Sequence, residues 1–175
     1  MRYRPLYRLV APGLAAAVLI AVACKDDDPA SPAASHTVEF KATLSGANEI
    51  PANASTGTGT FTGVLDTVTN VFTYDVVFRG LSALVTSGHI HGPATASANS
   101  GTTINFATWP GGSFTTGVLA GTAHGVATLT SATQITATVS GDSLKKLLFA
   151  GLTYANVHTT ANAGGEIRGQ ITRSP

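Results

Sequence analysis

The chain has few of the residues on which several common functions depend. It holds one cysteine, Cys24, in 175 residues. Disulfides are therefore excluded as its framework, and the core must be hydrophobic. Charged residues make up only 11% of the chain, with ten Lys and Arg set against nine Asp and Glu. Without Arg2, Arg4 and Arg8 at the start, seven basic residues face nine acidic ones. No basic stripe exists, which argues against nucleic-acid binding. There is no Ser-His-Asp arrangement with supporting motifs and no close carboxylate pair of the glycosidase kind, so no residue is assigned a catalytic role. What is abundant is Thr, Gly, Ala, Ser and Val. That is the composition of an all-β extracellular domain.

The first residues read as a targeting segment. Arg2, Arg4 and Arg8 form a basic region, and Leu9 to Ala23 an apolar run too short and alanine-rich for a membrane span. The run ends in Ala21-Val22-Ala23-Cys24. This resembles a bacterial lipoprotein signal, cleaved before a cysteine that is then lipidated, with Ala21 where leucine is usual. The alternative is an ordinary secretory peptide cut near Ala23. Residues 1–23 are thus read as the signal peptide. Residues 24–35, with Lys25-Asp26-Asp27-Asp28 and a Pro/Ala/Ser-rich stretch, are read as a tether. A lipid on Cys24 would anchor the protein outside the cytoplasm, in the periplasm or at the cell surface.

Residues 36–175 have the length of one domain. Alternation predicts strands over 37–44, 59–65, 71–79, 85–91, 103–107, 113–119, 121–129, 135–139, 152–158 and 165–173. Phe72, Tyr74, Val76 and Phe78 share one face, and Asp66 to Asn70 joins their strand to the preceding one as a hairpin. Val85 and Ser87 are expected on the face of His89 and His91. One short helix is predicted over 141–150, capped by Asp142 or Ser143 and stopped by Gly151. With 121–129 and 135–139 as further candidates beside the other eight, about eight to nine short antiparallel strands imply a Greek-key β-sandwich or barrel.

Chemistry concentrates in Ser87-Gly-His-Ile-His-Gly-Pro93, Tyr154-Ala-Asn-Val-His-Thr159 and Gly164-Gly-Glu-Ile-Arg-Gly-Gln170. A His-x-His pair in a strand puts both rings on one face. His89, His91 and His158 could form an open three-nitrogen site for copper or zinc. His124 is a further candidate ligand. The competing reading is a polar network in which the histidines bond carbonyls or carboxylates, with Glu49, Asn156, Glu166 and Arg168 as partners. An Arg168–Glu49 ion pair would tie the first loop to the last strand.

These segments, with Leu44-Ser-Gly-Ala-Asn-Glu-Ile-Pro51 and Gly59-Thr-Phe61, occur in the order seen in the CHRD domain, named for its occurrence in chordin. The resemblance covers about residues 37–172, with Ala52 where a second proline is common. It implies an all-β domain but delivers no activity. In chordin the domains belong to a protein that binds bone morphogenetic proteins. A looser similarity to copper/zinc superoxide dismutases lies in the His-x-His strand on a Greek-key barrel. Fold does not imply function, and the cysteines and further ligands of a dismutase are missing. The expectation is a membrane-tethered, non-enzymatic binding or structural module of the cell envelope, acting on an envelope protein or ligand. The alternative is a copper- or zinc-binding protein with a redox-related role.

Overall fold

The computed structural model describes residues 36–175. The expected signal peptide, Cys24 and the expected tether lie outside the described residues. Nine strands and one helix follow one another as β1 (Thr37–Ser45), β2 (Thr58–Asp66), β3 (Val71–Arg79), β4 (Val85–His91), β5 (Thr102–Asn105), β6 (Ser113–Phe114), β7 (Gly121–Thr128), α1 (Gly141–Phe149), β8 (Thr153–Thr159) and β9 (Ile167–Arg173). A 3₁₀ turn, Gly46–Asn48, follows β1. All pairings are antiparallel and build one curled sheet, in the order β5-β4-β8-β9-β1-β2-β3-β7-β6. The fold is all-β, as the alternation implies.

The concave face is the core. Phe40 of β1, Phe61 of β2, Phe72 of β3, Ile90 of β4, Val157 of β8 and Ile171 of β9 meet in one buried cluster, closed by Leu144 and Leu148 of α1. Burial alternates strictly along β2 and β3, so register fixes which residues face inward. Their hairpin is set by Asp66, whose carboxylate accepts the N–H groups of Val68 (2.8 Å) and Thr69 (2.9 Å). Asn70 then takes φ 58°, a left-handed conformation that asparagine tolerates. The two halves of the curled sheet are linked where Val85 O accepts the N–H of Gly117 and Val85 N donates to Val118 O.

Several local expectations are corrected. Residues 135–139 form a turn rather than a strand. Ile135 and Thr136 both donate to Val139 O, an isolated bridge joins Gln134 to Ser140, and Ile135 and Val139 pack on the core with no neighbouring strand. The strand expected over 113–119 stops at Phe114, because Gly117 turns the chain at φ 70°. Val85 lies in the core with Ile90, away from His89. The β4–β8 register shifts between Val85 and Ser87, and a bulge there moves one residue to the other face. The helix is capped by Ser140, whose hydroxyl accepts Ser143 N–H, instead of by Asp142 or Ser143.

Candidate metal centre

β4 and β8 are neighbours, with Ser87 opposite His158, His89 opposite Asn156 and His91 opposite Tyr154. Ile90, Ala155 and Val157 fill the core side of this pair. By alternation, His89, His91, Tyr154, Asn156 and His158 all project from the other side. That side would normally face water. Here every residue of β8 is buried, including the polar ones, because the loop between β4 and β5 and the segments flanking Glu49 and Ala163 lie over it.

One ligand atom from each of His89, His91 and His158 lies within 4.8 Å of the others. His91 Nδ1 is 2.9 Å from Ser100 O, and His158 Nδ1 is 2.9 Å from Ala163 O. A carbonyl oxygen can only accept, so both Nδ1 atoms carry the protons and both Nε2 atoms carry lone pairs. His158 Nε2 is 3.0 Å from His89 Nδ1. His91 Nε2 is buried with no partner among the described residues. Holding the far ring nitrogen on a carbonyl is how proteins orient metal-ligating histidines.

The cluster is neutral near pH 7. Burial, followed by the neighbouring His158 and His91, pulls His89 down to about 4. Burial lowers His91 despite its bond to Ser100 O. Burial also lowers His158 against the effect of Ala163 O. Neutral imidazoles are the form that binds a metal. Three of them make an open nitrogen site of the kind suited to zinc or copper.

The supporting residues are arranged differently from the ion pair that was expected. Arg168 is 1% exposed, and its guanidinium donates to Asn99 Oδ1 (2.8 Å), Ala98 O (2.8 Å) and Thr95 O (3.2 Å). It lies 3.5 Å above the Tyr154 ring, on which His91 also stacks at 4.8 Å. No Arg168–Glu49 salt bridge forms among the described residues, although the Arg168 charge acts on Glu49 from a distance. Burial dominates there and lifts Glu49 to about 7. Glu166 is also fully buried, but Ser55 Oγ, Ser82 N and Thr159 Oγ1 all donate to it at 2.6 Å. Burial raises its pKa, and these bonds outweigh that and leave it below the ordinary range.

His124 is no fourth ligand. It sits on β7 opposite Asp75, bonded to that carboxylate at 2.8 Å on an exposed face. Ser100, Ala163 and Asn99 belong to the site without being marked by the sequence, and Tyr154, expected on the face of Asn156 and His158, has a stacking role that the sequence does not show. The first two act through backbone carbonyls, which no side-chain motif reports. Tyr154 stood inside a noted motif, directly across from a histidine strand, and that position was the available signal.

The CHRD domain model matches residues 40–171, most of the chain. Neither a curated protein nor a solved structure matches it.

Proposed function

The chain belongs to the CHRD domain family, and from that premise we propose that it is a binding module of the bacterial cell envelope whose ligand is a copper or zinc ion. His89, His91 and His158 are the residues that would hold the ion. One observation carries this reading: three neutral imidazoles converge, and one of them keeps a buried lone pair with no partner among the described residues. An unsatisfied buried acceptor is costly, and a cation between the rings would relieve it. The module would act by binding, tethered through a lipid on Cys24. The basic start, the apolar run and the position of the sole cysteine support that anchor.

Elemental analysis and titration of the untagged protein with Cu²⁺ and Zn²⁺ test the site. One equivalent is expected in the wild type. The double variant His89→Gln with His158→Gln should lose it while keeping its near-ultraviolet circular dichroism. A wild type that never holds stoichiometric metal overturns the reading. The second reading, a structural network, is favoured by the 3.0 Å His89–His158 bond and the two carbonyl bonds. It predicts no metal and a double variant that unfolds more easily. The search for a ligand would then move to envelope extracts.

A further inference from the structure

Resting on the reading of the histidines as a metal centre, we infer that Asn156 supplies its fourth donor, through Oδ1, and that Glu49 is the positioning residue that aims it. Asn156 stands directly opposite His89 and two residues before His158 on β8. Directly opposed residues bring their Cβ atoms to within about 5 Å. Asn156 also borders His91. It is 2% exposed, and its Oδ1 has no partner among the described residues.

Two neighbouring buried atoms are thus left bare, His91 Nε2 and Asn156 Oδ1. Both are acceptors. An amide oxygen cannot donate, and His91 has its proton on the nitrogen facing Ser100 O. With the amide so oriented they cannot satisfy each other, while the lone pair of His158 Nε2 nearby accepts from His89 Nδ1. A cation answers both bare acceptors at once.

The amide is oriented from the side of Glu49. Its Nδ2 lies on the side of Gly165 and Glu49: a Cβ at Gly165 would strike Glu49 Oε1 and come within 2.9 Å of Asn156 Nδ2. Gly165 has φ 130°, so glycine is required there twice over. In its ionised form the Glu49 carboxylate takes the N–H end of the amide, and Asn156 is among the groups whose hydrogen bonding favours that form. The oxygen is thereby left for the histidines. A hard oxygen donor favours Zn²⁺ or Cu²⁺ over Cu⁺. Asn156 would then set which oxidation state the site prefers.

The untagged full chain and its variants are titrated with Zn²⁺, with Cu²⁺ and, without air, with Cu⁺. Asn156→Leu should weaken Zn²⁺ and Cu²⁺ binding by about tenfold or more and Cu⁺ binding much less. Asn156→Asp should keep divalent binding but change the Cu²⁺ paramagnetic resonance spectrum. Glu49→Gln should fall between wild type and Asn156→Leu for the divalent ions. Wild-type affinities in Asn156→Leu, or an unchanged Cu²⁺ spectrum in Asn156→Asp, overturn the assignment of Asn156 while the histidine site stands. If Asn156→Leu does not fold, the Asn156→Asp spectrum decides alone. Metal binding that is absent in the wild type, or that survives His89→Gln with His158→Gln, instead removes the metal centre itself.

Discussion

A charge sealed inside a protein survives only where partners replace the water it has lost, and Glu166 is the clearest instance here. Its three 2.6 Å donors come from three separate segments, at Ser55, Ser82 and Thr159. Glu166→Gln should cost about 2 kcal/mol near neutral pH, because charge-assisted bonds become neutral ones. The folded pKa lies below the unfolded value, so this stabilisation is present above the ordinary glutamate range and is lost as pH falls through the folded pKa. Urea denaturation of both proteins from neutral to acid pH should show their difference shrinking as the solution becomes more acidic. A constant difference would mean that the charge contributes nothing. Tyr74 is the opposite case. Its ring is fully buried among Phe61, Phe72 and Phe106, and its hydroxyl has no partner among the described residues. Tyr74→Phe should leave stability unchanged or raise it by about 1 kcal/mol in the same assay. A clear loss would reveal a partner for that hydroxyl. The sequence pointed to Glu49, Asn156, Glu166 and Arg168 as polar, but it could not say which met which. Glu166 draws on a backbone amide and two hydroxyls, and Arg168 on two carbonyls, which no residue pattern announces.

The elements most legible in the sequence were those with one wet and one dry face. β1, β2 and β3 alternate cleanly, and their predicted and observed limits nearly coincide. Legibility failed where alternation lacked a neighbouring strand, as at residues 135–139, and where a bulge broke it, as after Val85. β8 was legible as a strand to within one residue at each end, but the burial of its polar face was not, because that face is roofed by loops of small residues that carry no pattern of their own. The loop between β4 and β5 is held down chiefly by Arg168, with Tyr154 Oη on Ser100 and Gln170 Nε2 on Ala94 O at 2.9 Å. Arg168→Met keeps much of the bulk but leaves three acceptors and the Tyr154 face without their cation. A loss of about 3 kcal/mol is expected, because each stranded acceptor costs about 1–3 kcal/mol and water entering the loosened loop offsets part of the total. Limited proteolysis should open a new cut between Ala94 and Ser100. Arg168→Lys should rescue little, since one ammonium cannot span three acceptors while stacking on the ring. Full rescue by lysine would show that charge alone holds the loop.

At the scale of the whole molecule, the sheet presents two outer surfaces. Over β4, β8 and β9 it is polar, roofed and built around the histidines. Over β2, β3 and β7 it is open, with threonines beside Val64, Val77 and Val126 at 40%, 49% and 41% exposure. The domain is held together by one core that contains no sulfur bridge, so its folding does not depend on the redox state of its surroundings. No helix among the described residues is long and apolar enough to cross a membrane. The proposed attachment is the lipid on Cys24. A lipid there needs the thiol itself, and neither serine nor alanine can replace it. Replacing Cys24 by Ala should move the protein from the detergent-extracted membrane fraction to the fraction released by osmotic shock. Metal content per molecule should not change, because the three histidines all lie in β4 and β8 of the described domain. A Cys24→Ala protein that still sediments with membranes would place the attachment elsewhere in the chain. One that becomes free but loses its metal would mean that tether and site are coupled.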